Sequence, residues 1–415
     1  MNVTVKNGAR RGIITPPASK SEAHRAIICA ALSKNESRIV CDGISKDIEA
    51  TVDCLNALGA DISLNGGVIG VKPIGSAAGD NVLRCGESGS TLRFLLPVVG
   101  VLGREATFKT EGRLSERPMD GLVSCLTAHG MRIEKNGSDF ICSGKLTPGK
   151  YTVPGDVSSQ YISGLLFALP TLSGDSTLFV TGKIESRDYI TMTENALAAS
   201  GIELEKNENV YRIKGGQSYR FPEEHTVGLD WSGAAFFLCI GALSEKGVTV
   251  KGLSEDSAQG DRAILEILKS FGAKVTADKK GVTVSGGRLR GITVDAALIP
   301  DLVPVISTVA AAAEGRTVIK NAARLRYKES DRLKTTREML SALGADVKET
   351  GDGLVINGKK ALTGGKTDSF GDHRIAMSAA VAASVCGSPV EVKGAECAGK
   401  SYPGFWNDLN SLEVL

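Results

Sequence analysis

Hydrophobic and polar positions along the chain repeat with a long and even period. A helix-like segment places a leucine four residues before a glycine, and a strand-like segment follows it. This arrangement occurs at Leu55/Gly59, Leu126/Gly130, Leu197/Gly201, Leu268/Gly272 and Leu340/Gly344, with glycines 71, 71, 71 and 72 residues apart. Glycine just past a helix is the expected left-handed C-cap. Spacing this even predicts a repeat architecture.

Each period also contains a second helix that is polar at its start and apolar through its body. Helices that are apolar on nearly all sides are buried ones. Segments between the helices, such as VTVKG, alternate in twos and predict strands, so each period reads as a βαβαββ unit. The six apolar segments are SKSEAHRAIICAALS, GESGSTLRFLLPVVGVL, DVSSQYISGLLFALPTL, DWSGAAFFLCIGALS, IPDLVPVISTVAAAA and GDHRIAMSAAVAASVCG.

The sixth period lacks a final strand, which the opposite end of the chain could supply. Its last helix-like segment, GFWNDLNSL, runs to the end without a glycine, whereas the chain starts with the strand-like MNVTVKN. We predict an α/β fold of two domains, each with three βαβαββ repeats and buried parallel helices, an inside-out α/β barrel. The predicted domains are residues 17–225, and residues 1–16 together with 226–415.

Composition excludes several classes of partner. The chain of 415 residues has 49 basic and 47 acidic residues, and this near balance is not that of a nucleic-acid-binding protein. It has neither a run of about 20 apolar residues nor a signal-like start, so we expect no membrane span and a cytoplasmic location. Nine scattered cysteines without a C-x-x-C pair predict neither a zinc site nor a disulfide framework. We expect a monomer without metal or organic cofactor.

Cations recur where acids are usually preferred, at the starts of the predicted helices. A helix N-terminus carries free N–H groups and a positive dipole end, so it binds anions and repels cations. If the polar helix starts of two domains face one cleft, they form a site for a ligand with several negative groups. The cations concerned are Lys20, Arg25, Arg93, Arg117, Lys328, Arg332, Arg374 and Lys400.

Two acids stand among these cations and are the candidates for proton transfer. Asp301 interrupts an apolar helix start, and Glu329 lies between Lys328 and Arg332. Neighbouring cations favour an ionised carboxylate and burial disfavours it, a balance that suits acid–base chemistry near neutral pH. A helix cap at Asp301 and a salt bridge at Glu329 are equally compatible with the sequence. His24 and His373 each precede an arginine, and we interpret both as orienting residues.

Residues 394–401, GAECAGKS, match the phosphate-binding pattern G-x-x-x-x-G-K-[ST]. That loop must begin a helix, but Pro403 and Gly404 follow almost at once. Too little chain remains for a nucleotide-binding fold. We therefore predict that Lys400 binds an anion without such a loop.

Nine ordered motifs resemble one enzyme family along the whole chain. They are SKSEAHR, GESGSTLR, SERPMD, VSSQY, ESRDY, IPD, KESDR, GDHR and GKSYPG. The sequence is similar to the 3-phosphoshikimate 1-carboxyvinyltransferase family, also called 5-enolpyruvylshikimate-3-phosphate (EPSP) synthases. The resemblance implies two domains, each of three βαβαββ units, that close over the substrates. It also implies transfer of the enolpyruvyl group of phosphoenolpyruvate to the 5-hydroxyl of shikimate 3-phosphate.

The resemblance also implies roles for particular residues. Asp301 would take the proton of the attacking hydroxyl and Glu329 would protonate the methylene carbon, with Lys20 as a third catalytic residue. The residues implied for shikimate 3-phosphate are Lys20, Ser21, Arg25, Ser158, Ser159, Gln160, Ser186, Asp301 and Lys328. Those implied for phosphoenolpyruvate are Lys20, Gly89, Arg117, Gln160, Arg332, Arg374 and Lys400.

Two departures and two alternatives accompany this interpretation. The family's common Asn-Ala-Gly-Thr segment reads Glu-Ser-Gly-Ser at residues 87–90, and Arg324 replaces a substrate-contacting Asn of some relatives. The first alternative is UDP-N-acetylglucosamine enolpyruvyl transferase, which has a reactive Cys where this chain has Gly112. The second is a non-catalytic scaffold that binds polyanions, for which the acids Asp301 and Glu329 would serve no purpose.

Overall fold

The computed structural model describes residues 1–75 and 79–415. Within them, helices and strands alternate as the period predicts. The α-helices of this part of the chain are α1 (Lys20–Ala31), α2 (Lys46–Ala57), α3 (Gly89–Leu102), α4 (Asp120–Thr127), α5 (Ser159–Ala168), α6 (Arg187–Ala199), α7 (Trp231–Ala242), α8 (Ile264–Phe271), α9 (Val303–Ala312), α10 (Arg332–Ala342), α11 (His373–Ala382) and α12 (Phe405–Ser411).

The strands form six sheets of similar plan. They are β1 (Asn2–Val5), β2 (Arg10–Ile14), β3 (Ser37–Val40), β4 (Asp61–Asn65), β5 (Val68–Lys72), β6 (Val82–Gly86), β7 (Ala106–Thr110), β8 (Met131–Asn136), β9 (Asp139–Gly144), β10 (Lys150–Pro154), β11 (Ser176–Thr181), β12 (Glu205–Asn207), β13 (Val210–Ile213), β14 (Glu224–Thr226), β15 (Val248–Val250), β16 (Lys274–Asp278), β17 (Gly281–Ser285), β18 (Thr293–Asp295), β19 (Arg316–Lys320), β20 (Asp346–Glu349), β21 (Leu354–Asn357), β22 (Gly365–Asp368), β23 (Val390–Lys393) and β24 (Glu413–Val414).

The chain divides into two compact units, and each unit contains three of these sheets. The inner unit is Ala18–Val227, and the outer unit combines Met1–Pro17 with Gly228–Leu415. In the inner unit the strand orders are β14-β3-β5-β4, β6-β7-β9-β8 and β10-β11-β13-β12. The first two strands of each order are parallel and the others antiparallel, which is the pairing of a βαβαββ unit.

Strands from distant parts of the sequence complete the outer unit. β2 pairs in parallel with β15, and β1 pairs antiparallel with β23, with Asn2 opposite Lys393. Strand β9 takes the same place beside β7 in the inner unit, so β1 is the strand that the sixth repeat lacks. The prediction made for MNVTVKN is confirmed.

The six apolar helices are α1, α3, α5, α7, α9 and α11, and they form the cores. All residues of α11 are buried, and in α7 only Ser232 is not. In the outer unit α7, α9 and α11 pack against one another, and in the inner unit α3 packs against α5. A Cβ on Gly164 of α5 would lie 2.2 Å from the Arg93 carbonyl oxygen, so glycine permits this close packing of α5 on α3.

The repeated glycines end helices as predicted. Gly59, Gly130, Gly201, Gly272 and Gly344 have φ angles of 88°, 104°, 74°, 104° and 92°. Side chains other than glycine rarely adopt this left-handed region, so the period in sequence reflects five equivalent helix ends.

Three smaller expectations can be compared with the described residues. No helix among them is long and apolar enough to cross a membrane. All nine cysteines are free thiols, and eight are buried. After β23 the segment Ala395–Lys400 is a 3₁₀ helix and not the start of a long α-helix, which agrees with the rejection of the phosphate-loop match.

Candidate active site

Three helix starts of the outer unit carry acids, and two of these acids are the predicted acid–base residues. Asp301 lies in a 3₁₀ turn, Pro300–Leu302, directly before α9. Glu329 precedes α10, whose first residue is Arg332. Asp372 caps α11, and its side chain accepts the backbone N–H of Arg374. Since α9, α10 and α11 pack together, these starts bring their side chains into one cluster.

Arg332 is the centre of this cluster. Its Nη1 donates to Asp301 at 2.7 Å, its Nη2 to Glu329 at 2.7 Å and its Nε to Asp372 at 2.8 Å. The guanidinium side chain is only 2% exposed. The two predicted proton-transfer residues are therefore bonded to the same group. The alternative of a salt bridge at Glu329 is also realised, whereas the N-cap of α9 is Leu302 and not Asp301.

Three further cations surround the two acids. Lys328 Nζ lies 3.6 Å and Arg374 Nη2 3.4 Å from Asp301, and Lys400 Nζ lies 3.8 Å from Glu329. With Arg332 this makes four cations around the carboxylates Asp301, Glu329 and Asp372. The cluster has one positive charge in excess when all these groups are ionised, and this excess favours an anionic ligand.

The electrostatic balance at Asp301 differs from the sequence expectation. Burial disfavours its charge, but Arg374, Lys328 and Arg332 outweigh burial and hold the pKa of Asp301 well below its usual range. The pKa of Asp301 is therefore not near neutral pH, which the sequence had suggested. Asp301 is a carboxylate at neutral pH and is able to accept a proton. Burial lowers the pKa of Lys328 to about 8, against the attraction of Asp301.

A third aspartate, Asp261, is buried near this cluster. It lies in the 3₁₀ turn Gly260–Ala263 and accepts a short hydrogen bond from Ser232 of α7. Burial and the negative charge of Asp301 raise the pKa of Asp261 to about 7, although Arg374 opposes the shift. The two acids thus differ in protonation at neutral pH because their surroundings differ.

We expect Asp261→Asn to alter the pH dependence of stability. A folded pKa above the unfolded value means that folded protein holds the proton between about pH 4 and pH 7, so wild-type stability falls through that range. Asparagine has no charge to bury. The free energy of unfolding of the variant, relative to wild type, should increase by about 2–3 kcal/mol between pH 5 and pH 8.

Urea unfolding at several pH values measures this difference. Asp256→Asn is the matched control, because Asp256 is exposed and only five residues away. The control curve should run parallel to that of wild type. If the free energy of unfolding of Asp261→Asn also ran parallel to that of wild type, ionisation of Asp261 would not destabilise the folded protein.

In the inner unit, the starts of α3 and α5 bring together a second set of predicted residues. A Cβ on Gly89 would lie 2.8 Å from Arg117 Nη1 and 3.2 Å from Arg93 Nη1, so only glycine leaves both guanidinium groups in place. Arg93 donates to Gln160 at 2.9 Å, and Gln160 donates to Ser90 at 2.9 Å. Two arginines beside a helix N-terminus suit an anionic group.

The two cations of α1, Lys20 and Arg25, are bonded to other groups of the inner unit. Lys20 Nζ lies 2.7 Å from Asp47, the second residue of α2. Arg25 is buried, and its guanidinium donates to the carbonyl oxygens of Ser21 and Tyr189 and to the hydroxyl of Thr193. A carboxylate of the chain thus offsets Lys20, and Arg25 stabilises the packing of α1 on α6.

The remaining predicted residues occupy helix starts of the same unit. Ser158 caps α5 by accepting the backbone N–H of Gln160 at 3.3 Å, and Ser159 is the first residue of that helix. Ser186 precedes α6 with a left-handed φ of 52°, which is unusual for a residue with a side chain. Ser21 is the second residue of α1.

Sequence reasoning did not single out three of the acids that complete these clusters. Asp47, Asp261 and Asp372 were not among the predicted site residues. Asp372 could have been recognised as the N-cap in the GDHR motif, and Asp47 as a first-turn acid after the cap Ser45. Asp261 has no comparable local signal, because its role depends on a distant part of the chain.

The predicted orienting histidines are both buried. Burial lowers the pKa of His24 to about 3, so its imidazole is neutral at physiological pH. His373 begins α11 and is also buried. Among the described residues, no three His, Cys, Asp or Glu side chains are grouped so that they could hold a metal ion.

Comparison with known proteins gives consistent matches over nearly the full length. The sequence matches the family described as EPSP synthase (3-phosphoshikimate 1-carboxyvinyltransferase) over residues 5–409. It is 42% identical to the 3-phosphoshikimate 1-carboxyvinyltransferase of Clostridium kluyveri, with 99% of this chain and 97% of the relative covered. It is 43% identical to the Clostridium acetobutylicum protein of the same name, with 97% and 95% covered.

Solved structures show the same fold. EPSP synthase from Acinetobacter baumannii aligns with a TM-score of 0.82 at 26% identity, covering 100% of this chain and 99% of that one. An enolpyruvyl transferase from Streptomyces tendae aligns with a TM-score of 0.79 at 18% identity, covering 100% and 98%. The latter likeness concerns the fold alone.

Proposed function

The chain belongs to the EPSP synthase family, and we propose on that basis that it transfers the enolpyruvyl group of phosphoenolpyruvate to the 5-hydroxyl of shikimate 3-phosphate, releasing phosphate. The observation that carries the proposal is the arrangement at Arg332. One buried guanidinium bonds both Asp301 and Glu329 at 2.7 Å, among three further cations. A pair of acids in a positive field fits acid–base chemistry on anionic substrates.

Asp301 acts as the base in the addition step. The substrate hydroxyl attacks C2 of phosphoenolpyruvate and gives its proton to Asp301, which is ionised because the nearby cations lower its pKa. The Asp301 side chain is 17% exposed, so a substrate can reach it, whereas Arg332 at 2% is enclosed. Arg374 and Lys328 then lie beside the charges that develop on the adduct.

Glu329 acts as the acid in the same step. It gives a proton to the methylene carbon, C3, and the product is a tetrahedral adduct with a methyl group. Anionic groups of phosphoenolpyruvate beside Arg332 and Lys400 would reduce the positive field at Glu329 and so favour its proton-donating form. The bond from C2 to the phosphate oxygen then breaks, while ionised Glu329 takes back a proton from the methyl group and the Asp301 proton leaves with the phosphate. The C2–C3 double bond forms again, and the product is an enol ether.

Binding residues are assigned in each unit by itself. Positive helix starts and paired arginines support these assignments. Four of the five guanidinium N–H groups of Arg332 donate to Asp301, Glu329 and Asp372, which leaves one N–H of Nη1 for an anionic group of phosphoenolpyruvate. For shikimate 3-phosphate we assign Lys20, Ser21, Arg25, Ser158, Ser159, Gln160, Ser186, Asp301 and Lys328, and for phosphoenolpyruvate Lys20, Gly89, Arg117, Gln160, Arg332, Arg374 and Lys400.

We also propose that the two predicted three-repeat domains correspond to the two compact units. The predicted boundaries, 16/17 and 225/226, lie within two residues of the points at which the units divide, after Pro17 and after Val227. Each unit contains three sheets, of four strands each in the inner unit and of three to five strands in the outer unit, which supports the assignment.

The alternative acceptor, UDP-N-acetylglucosamine, is not favoured. Its transferases carry a reactive cysteine where this chain has Gly112. Gly112 has a left-handed φ of 54°, and a Cβ there would lie 2.2 Å from Glu87 Oε1. A cysteine at this position would therefore be strained and would displace Glu87.

Release of phosphate from phosphoenolpyruvate tests the proposal directly. We expect release with shikimate 3-phosphate as acceptor and none above background with UDP-N-acetylglucosamine. Equal release with both acceptors, or release only with the nucleotide sugar, would contradict the proposed function.

A further inference from the structure

A buried chain of hydrogen bonds joins three helices of the inner unit. His24 Nδ1 of α1 lies 2.7 Å from Thr51 Oγ1 of α2, and Thr51 Oγ1 lies 2.6 Å from Thr91 Oγ1 of α3. Thr91 in turn donates to Ser88 Oγ at 2.7 Å. All four side chains are fully buried. In an apolar interior such bonds are costly to break, because a polar atom is then left without a partner.

A salt bridge joins two of these helices, α1 and α2, beside the series of hydrogen bonds. His24 is four residues after Lys20 on α1, and Thr51 is four residues after Asp47 on α2, so each pair shares one helix face. The Lys20–Asp47 salt bridge of 2.7 Å and the His24–Thr51 bond are thus two successive links between α1 and α2. Within residues 1–75 and 79–415, only the second link continues to α3.

Each hydroxyl group has a single proton to donate, and this fixes the direction of the hydrogen bonds. Thr91 donates its hydroxyl proton to Ser88, so Thr51 must donate to Thr91. The remaining bond then requires a proton on His24 Nδ1. His24 Nε2 is buried and has no hydrogen-bond partner among the described residues, which suits a nitrogen without a proton. All donations therefore run from α1 toward the start of α3.

This series of hydrogen bonds ends at Ser88, the residue directly before Gly89. Ser88 is the N-cap of α3, and its Oγ also accepts the backbone N–H of Thr91 at 3.3 Å. Gly89 follows immediately and lies against the Arg117 guanidinium. A shift of the cap would move the first N–H groups of α3 relative to that arginine and to Lys20.

We propose that His24, Thr51 and Thr91 are positioning residues that fix the start of α3 relative to Lys20 and thereby set the affinity for phosphoenolpyruvate. The inference rests on the proposed function, because that function assigns Gly89 and Arg117 to this substrate. None of the three side chains contacts the substrate itself, since all three are fully buried.

Thr51→Val and Thr91→Val test the proposal, because valine keeps the volume and removes the hydroxyl. Loss of the link should raise KM for phosphoenolpyruvate about tenfold and leave KM for shikimate 3-phosphate within about twofold. Thr51→Ser restores the hydroxyl and should restore KM. Thr308→Val is the control, because the Thr308 hydroxyl is equally buried but reaches only backbone carbonyl oxygens in the outer unit.

Nitrogen-15 NMR of the imidazole provides a readout that does not depend on activity. We expect His24 to be neutral with its proton on Nδ1, and Thr51→Val to shift the amide signals of Gly89 and Ser90 more than Thr308→Val does. A proton on Nε2, unmoved amide signals, or equal changes in both KM values would overturn the proposal. Absence of phosphate release by the wild-type enzyme would instead refute the proposed function and leave the NMR outcomes to judge the positioning role.

Discussion

Glu329→Gln is expected to lower kcat for phosphate release by about 10²–10⁴ while leaving the affinity for shikimate 3-phosphate within about twofold. Glutamine has nearly the same volume, and its amide oxygen can still accept the hydrogen bond from Arg332 Nη2 that Glu329 accepts at 2.7 Å. It cannot give a proton to C3 of phosphoenolpyruvate. The loss should therefore appear in the chemical step and not in binding. Initial rates and isothermal titration calorimetry measure the two quantities separately.

Glu338→Gln is the matched control for this experiment. Glu338 lies on the same helix, α10, but its side chain is 32% exposed and it pairs with Arg337. Its replacement should leave kcat unchanged. Wild-type turnover by Glu329→Gln would remove Glu329 from the mechanism, and a weakened affinity with unchanged kcat would assign it to binding instead.

Arg332→Met is expected to cause the largest loss of stability, about 3–5 kcal/mol in the free energy of unfolding at pH 7. The Arg332 side chain is 2% exposed and bonds Asp301, Glu329 and Asp372. Its removal takes away the guanidinium hydrogen bonds that all three carboxylates accept and leaves them without their shared partner. The loss should be smaller near pH 4, because Arg332 is one of the cations that lower the pKa of Asp301 and its removal lets that carboxylate take up a proton more readily as the pH falls.

Arg337→Met provides the comparison, because Arg337 lies on the same helix with 34% of its side chain exposed. Its loss should be at most about 1 kcal/mol. Urea unfolding of both variants at pH 4 and pH 7 tests the prediction. Equal losses for the two arginines, or a loss for Arg332→Met that does not change with pH, would contradict it.

The fold could be predicted from the sequence because each repeat carries its own local signals. A glycine with positive φ ends the same helix in five repeats, and an apolar helix with a polar start occurs in all six. Such signals depend only on neighbouring residues. The pairing of β1 with β23 could be predicted as well, since the sixth repeat was short of one strand.

The pairing of charges within the site could not be predicted in the same way. Lys20 was interpreted through its helix start alone, whereas its actual neighbour is Asp47, which lies on another helix. Likewise, the pKa of Asp301 depends on Arg374 and Lys328, which come from two other segments. Spacing in sequence identifies which residues stand at helix starts, but the partner of each one is set by the packing of different helices.

The pairing of β1 with the distant strand β23 has a consequence for folding during synthesis on the ribosome. The inner unit, Ala18–Val227, has all its strands once residue 227 has emerged, and its sheets need nothing that follows. The outer unit pairs Asn2 with Lys393, so β1 cannot pair with β23 until residue 393 has been translated. Until then β1 is a strand edge without its partner, and an edge of this kind is able to pair with another chain.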